Sequence, residues 1–150
     1  MKRNFYDTSS LLLRADDLFS KEENIAFSSI TLQELESIKS STSKDLDIKF
    51  AARKLLHLFI RHPNEYEVFI YNDNMNTPIC KKGLELTNDT KILATAIAYD
   101  QAYPDEVIFI TNDLALYNIA NLFFGNDSID MVEEDKADDY TGYLQVNMSE

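Results

Sequence analysis

Val107-Ile108-Phe109-Ile110-Thr111-Asn112-Asp113 decides how this chain is to be read. Four consecutive apolar residues, two of them Ile and one Val, read as a strand buried on both faces. The polar Thr111-Asn112-Asp113 follows at once, and a fresh helical pattern starts at Leu114. An acid at that junction stands at the carboxyl end of a buried strand, where open α/β sheets place their ligands. Asp7, Glu34 and Asp89 occupy comparable junctions. The expectation is that these acids meet in one crevice and hold a divalent cation.

Outward from that stretch, strand and helix patterns alternate. Arg3 to Tyr6 is a strand candidate that ends in Asp7-Thr8-Ser9-Ser10, and Leu11-Leu12-Leu13 begins a short helix running to about Phe19. Ile25 to Ile30 is a second strand. Thr31 to Lys39 is a helix whose start is marked by a Thr31-x-x-Glu34 capping box and an Ile30/Leu35 hydrophobic staple. A long helix from about Asp45 to His62 presents the apolar stripe Ile48, Ala51, Ala52, Leu55, Leu56, Phe59 and Ile60, until Pro63-Asn64 ends it. Glu65 to Tyr71 is a third strand, and the Asn-rich stretch from Asn72 to Thr87 reads as a long loop. Thr90 to Tyr103 and Leu114 to Phe124 are helices, the latter stopped by Gly125. Ser128 to Val132 is a short last strand, and Tyr143 to Val146 a terminal strand candidate. This alternation predicts a three-layer α/β/α sandwich with a central, mainly parallel sheet. Right-handed crossovers put every strand-to-helix junction on one edge, so acids far apart in sequence can converge.

Composition narrows the function. The chain has 150 residues, 45% apolar, which suits one domain with one core. With three Gly, neither a Gly-x-x-x-x-Gly-Lys-Ser/Thr loop nor a Gly-x-Gly-x-x-Gly turn exists. No apolar run approaches the ~18 residues of a membrane span, and no signal-peptide pattern follows Met1-Lys2-Arg3. The lone Cys80 makes no internal disulfide and suits a reducing interior, so the expected location is cytoplasmic. Net charge is -12, which on average disfavours a polyanion. The charge is uneven: six of the 14 Lys and Arg lie between Lys39 and Arg61, whereas Asp127 to Asp139 holds seven acids and one Lys.

Each acid, taken singly, has a capping explanation. Glu34 stands third in the capping box, Asp89 and Asp113 precede helices, and Asp7 starts a turn. Taken together, four caps at one edge would crowd negative charge and raise one another's pKa unless a cation neutralised them. Oxygen ligands without His or Cys suit Mg²⁺ or Mn²⁺. His57 and His62, on the long helix, are poorly placed as ligands.

These residues match a family. The segments Phe5-Tyr6-Asp7-Thr8-Ser9-Ser10-Leu11-Leu12, Leu32-Gln33-Glu34-Leu35, Asn88-Asp89-Thr90-Lys91-Ile92-Leu93-Ala94-Thr95-Ala96 and Ile110-Thr111-Asn112-Asp113 resemble a PIN domain, a metal-dependent ribonuclease fold. The resemblance runs through residues 4–132 in order and spacing, leaving 133–150 as an acidic C-terminal segment, for which the resemblance implies the start of a connection to an absent domain as one reading. It is narrower still for the PIN domain that precedes a PhoH-type ATPase, on the long helix after Glu34, the Asn88-Asp89 segment and Lys136-Ala137-Asp138-Asp139-Tyr140. The resemblance implies a divalent-metal-dependent endoribonuclease that attacks a single-stranded RNA phosphodiester with water. Asp7, Glu34, Asp89 and Asp113 would be catalytic metal ligands. Thr8, Ser9, Thr111 and Asn112 would orient carboxylates or bound waters. Ser9 stands where many members have Asn, which alters a supporting hydrogen bond. Expected partners are single-stranded RNA, a PhoH-type ATPase domain or an inhibitor protein, and a second copy of the chain, with no membrane.

Candidate RNA contacts are Lys81, Lys82 and Lys91 near the site, and Lys49 and Arg53 on the long helix. Lys49, Arg53, His57 and Arg61 recur every four residues as one stripe, which tracks an RNA backbone or is an ordinary solvated face. Tyr99, Tyr103 and Tyr117 have core spacing, with base stacking as the other use. A competing function is a PIN fold that binds RNA or a protein partner with weak catalysis, favoured by the low pI. A phosphotransfer receiver fails because Asp16-Asp17 follow no strand, and an Asp-x-Asp phosphatase fails at Ser9.

Overall fold

The computed structural model describes residues 2–104 and 106–132. Strands β1 (Arg3–Tyr6), β2 (Ile25–Ser28), β3 (Tyr66–Phe69), β4 (Val107–Ile110) and β5 (Ile129–Asp130) form one sheet in the order β3-β2-β1-β4-β5. Every pairing is parallel, not merely most of them. The chain leaves β1 in one direction for β2 and β3 and returns to β1's other side for β4 and β5. The order therefore reverses between β1 and β4, where an α/β sheet opens its ligand crevice.

Alternation along the strands separates two cores. Phe5, Ala26, Val107 and Phe109 face one side, with Ile79, Ile92, Leu93, Ala96, Tyr99 and Leu116. Those last six belong to α5 (Thr77–Lys81), α6 (Asn88–Ala102) and α7 (Leu114–Ala120). Tyr6, Ile25, Phe27 and Ile110 face the other side, with Leu11, Leu18, Leu35, Ala52, Leu55 and Phe59. These come from α1 (Thr8–Leu13), α2 (Leu18–Lys21), α3 (Ser29–Ser40) and α4 (Leu46–Arg61). A sheet between two helical layers is the predicted α/β/α sandwich. Residues apolar on both sides explain why β4 carries no polar alternation.

Several expectations are corrected. Ser28 ends β2 and caps α3, its hydroxyl accepting the Ile30 N–H at 3.1 Å, so the helix starts before Thr31 and no Thr31/Glu34 capping box forms. The α4 stripe is narrower than its spacing suggests: Ala52, Leu55 and Phe59 are buried, but Ile48 is 39% and Ile60 76% exposed. The stretch from Asn72 to Thr87 is not one loop; a 3-10 turn over Asp73–Asn76 and α5 occupy it. The helix after Asp113 is shorter than predicted, ending at Ala120 before turns that reach Gly125. Leu11 lies inside α1 rather than at its start, and Leu18–Lys21 is a separate helix. Residues 133–150, with the acidic run and the terminal strand candidate, lie outside the described residues. Among the described residues no helix is long and apolar enough to cross a membrane.

Candidate active site

Register fixes the first acid. Tyr6 pairs with Ile110, so the next residues, Asp7 and Thr111, emerge side by side at the carboxyl edge. The Asp7 N–H donates to Ile110 O at 3.0 Å, continuing the ladder one step. Asp7 then caps α1, its Oδ1 accepting the Ser10 N–H at 2.9 Å. The Ser9 hydroxyl lies 2.9 Å from both carboxylate oxygens, and the Thr111 hydroxyl donates to Oδ2 at 2.6 Å. Asp7 is only 2% exposed. Burial raises its carboxyl above the ordinary value, while the Thr111, Ser10 and Ser9 donors pull it back down.

The same donors stitch β1 to β4. Thr111 Oγ1 accepts the Asp113 N–H at 3.0 Å, and Ser9 Oγ accepts the Asn112 N–H at 3.1 Å. Asn112 Oδ1 accepts the Val132 N–H at 2.8 Å, tying the segment after β5 to the same edge. Asp113 is the N-cap of α7 and accepts the Leu116 N–H at 3.1 Å. The capping role foreseen for Asp113 is real, and Asp7, read as the start of a turn, is an N-cap as well.

Glu34 and Asp89 differ from that pattern. With Ser28 as cap, Glu34 sits in the second turn of α3 and owes nothing to the backbone. Thr8 donates to its Oε1 at 2.5 Å, with the Thr31 hydroxyl 3.2 Å from Thr8. Asn88 Nδ2 reaches Glu34 Oε2 at 3.3 Å. Asp89 is not a cap either. Thr87 and Thr90 form a reciprocal capping box at the start of α6, which leaves Asp89 in the first turn with its carboxylate unclaimed by the backbone. Asp89 keeps an open side to solvent, yet its carboxyl is raised, by burial first and then by Glu34, Asp113 and Asp7. Acids from four junctions therefore act on one another.

Among the described residues, no three His, Cys, Asp or Glu side chains stand close enough to hold an ion as they are. Each of Asp7, Glu34 and Asp113 instead has hydrogen-bond donors of its own. The donor set itself, all carboxylate oxygen with hydroxyl and amide support, fits a hard divalent cation. Asn88 and Ser10 support the site and were not singled out from the sequence. Their signal is position, one in the first turn of α6 beside Asp89 and one three residues after the Asp7 cap.

A sequence profile of the PIN domain matches residues 5–123. The chain belongs to the PIN domain family. The match runs from within β1 to just past α7 and includes Asp7, Glu34, Asp89 and Asp113. PIN domains are generally nucleases and typically use divalent metal ions, so a nuclease of the ribonuclease type is the function that membership supports. No curated protein matches the chain in sequence.

The basic candidates lie on different parts of this PIN domain. Lys81 and Lys82 are exposed at the end of α5, and Lys91 is half-buried in α6. On α4, Arg53, Lys54, His57 and Arg61 line an open groove with Leu12, Leu13 and Phe50, and Lys54 is paired with Asp16 at 2.9 Å. Lys49, on the same helix, is half-buried. Tyr99 is core, 1% exposed, packed edge-on or tilted against Phe5, Phe69 and Tyr103, with its hydroxyl donating to Glu67 at 2.7 Å. Tyr103 and Tyr117 pack against the same core. Cys80 is exposed. A cleft of about 630 Å³ opens at the opposite edge around Arg3, Ile25 and Tyr66 and contains none of the four acids.

Proposed function

We propose that this PIN domain is an endoribonuclease that hydrolyses phosphodiester bonds of single-stranded RNA with Mg²⁺ or Mn²⁺ held by Asp7, Glu34, Asp89 and Asp113. The observation that carries this reading is the joining of the acids at one sheet edge: the Thr111 hydroxyl bonds both Asp7 and the Asp113 N–H, and Asn88, beside Asp89, reaches Glu34, while burial and then the other three acids raise the Asp89 carboxyl. Such a site favours a cation, because neutralising the cluster removes the like-charge and burial penalties together. A bound hard cation supplies an activated water and stabilises charge on a phosphoryl oxygen.

The chain's own residues do the positioning. Ser9, Ser10 and Thr111 hold Asp7 in one orientation. Thr8 and Asn88 hold Glu34 from two sides. Asp113 is fixed by its cap bond and by Thr111. The exposed Lys81 and Lys82 and the α4 residues Lys49 and Arg53 offer the RNA backbone its cationic contacts away from the acids. The long α4 and the Asn88-Asp89 segment support the narrower reading of a PIN domain like those that precede a PhoH-type ATPase, with such a domain or an inhibitor protein as partner. The lone thiol and an RNA substrate favour a cytoplasmic setting.

The test is cleavage of end-labelled single-stranded RNA and DNA with Mn²⁺, Mg²⁺ or EDTA, run with the native protein and Asp89→Asn together. Metal-dependent RNA cutting that disappears in Asp89→Asn supports the proposal. Cutting that survives the substitution marks a contaminating nuclease. Absence of cutting together with absence of cation binding by calorimetry removes the proposal and leaves a PIN fold that only binds.

A further inference from the structure

We infer that Tyr71 and Lys91 form a subsite for the nucleotide next to the one cleaved, Lys91 taking its phosphate and the Tyr71 ring stacking on its base. The inference rests on the ribonuclease reading above and names part of its substrate contact. Tyr71 follows β3 and so stands at the same carboxyl edge as the acids, on the flank beyond α3. Its N–H donates to Ser29 Oγ, at the first residue of α3, at 3.0 Å. Its hydroxyl accepts a bond from Asn76 Nδ2 at 2.6 Å, and Asn76 is buried. Backbone and ring tip are both tied down and the ring packs in part against the core, so only its outer part, fixed in place, is open to a ligand.

Lys91 brings the charge. Its Nζ lies 5.9 Å from the centre of the Tyr71 ring. It is two residues beyond Asp89 in α6, so helical geometry turns it about 200° away from that acid, towards the Tyr71 flank. Among the described residues Lys91 makes no ion pair, although Glu34, Asp89, Asp7 and Asp113 gather at the same edge. Lys91 is half-buried and pairs with none of the described carboxylates, and among the described residues its ammonium has only the loose contact over the Tyr71 ring, which leaves its donors to an incoming anion. A phosphodiester drawn across the acids would meet it on the Tyr71 side, and a neighbouring base would find an aromatic face beside it. Stacking of this kind tolerates any base, so the subsite would add affinity without adding sequence preference.

The experiment compares native protein with Lys91→Gln, Tyr71→Leu and Tyr71→Phe in steady-state cleavage of a single-stranded RNA, in RNA binding at several salt concentrations, and in Mg²⁺ calorimetry. Tyr71→Leu should raise KM about 5- to 100-fold, the loss of one base–aromatic stack, with kcat and Mg²⁺ affinity held. Tyr71→Phe keeps the ring face and should stay within about threefold of native. Lys91→Gln should raise KM and flatten the salt dependence of binding by about 0.7 in log–log slope, the loss of one phosphate contact to a single strand. Native protein that cuts RNA while Lys91→Gln keeps the native slope and KM overturns the subsite alone. A Tyr71→Leu defect confined to kcat or to Mg²⁺ affinity also overturns it. Native protein that neither binds nor cuts RNA overturns the ribonuclease reading and the subsite with it.

Discussion

Thr111→Val is the sharpest test of how the site is built. Thr111 is fully buried, and its one hydroxyl serves two partners, donating to Asp7 Oδ2 at 2.6 Å and accepting the Asp113 N–H at 3.0 Å. Valine keeps the shape and removes both bonds. A hydrogen bond to a charged group contributes about 1.5–3 kcal/mol, and an unpaired buried N–H costs about 1–3 kcal/mol. The two losses share one atom and Asp113 N is only partly buried, so the expected sum is about 2–4 kcal/mol. For a domain of this size that lowers Tm by roughly 5–15 °C. Thr111→Ser keeps the hydroxyl, loses a methyl group, and should cost about 1 kcal/mol. Urea unfolding of the three proteins in EDTA measures the difference. The sign of the pH dependence adds a second check. The Thr111 bond favours charged Asp7, so without it the folded-state pKa rises further, and the penalty grows as pH climbs from the raised native value of Asp7 to the still higher value of the variant. The gap between Val and native proteins should therefore narrow on acidification. A valine variant no less stable than the serine variant, with a gap flat in pH, would refute the reasoning.

Asp89→Asn should be more stable than the native protein in EDTA. The raised Asp89 carboxyl contributes a penalty that is absent below the ordinary carboxyl range and complete above its raised value, so the variant's advantage should appear as pH rises through that window in urea titrations. Phe59 stacks on Phe27 at 4.9 Å between ring centres and packs against Tyr66 at 5.0 Å, so Phe59→Ala should cost about 3–5 kcal/mol by denaturant unfolding. Gly83 holds φ +71° in open space after α5, and Gly83→Ala should lose about 1–2 kcal/mol from backbone conformation alone. Gly125 has ordinary φ and open space, and Gly125→Ala, unfolded in parallel, should fall within about 0.5 kcal/mol of native.

Much of this architecture could be read from the chain because its strands are buried on both faces and its helices are amphipathic. Val107 to Ile110 is apolar without a break, and the structure makes it an interior strand of an all-parallel sheet. The convergence of acids followed from topology: Asp7, Glu34, Asp89 and Asp113 lie where crossovers bring them. Local capping was less legible. Ser28, Thr31, Thr87 and Thr90 are all plausible caps by residue type, and the choice among them depends on where a strand stops, which tertiary pairing decides. β2 ends at Ser28 because its register with β3 stops at Phe69, and that ending frees Glu34 from the cap the pattern assigned to it. The α5 helix was hidden because its five residues are too few to show a period. The exposed Ile48 and Ile60 show the converse: helical spacing fixes direction around an axis, not what waits on the other side.

The bond between Thr111 and Asp7 spans 104 residues of sequence. A chain emerging from a ribosome presents Asp7, Glu34 and Asp89 long before Val107 to Thr111 exist to dock against β1. Until then the central strand lacks its neighbour on one side and Asp7 lacks its firmest donor. The long loop closed by that pairing makes it a slow, late step. A chain that stops before β4 carries three of the acids with their local donors, but without the Thr111 hydroxyl that ties Asp7 to the neighbouring strand and without Asp113.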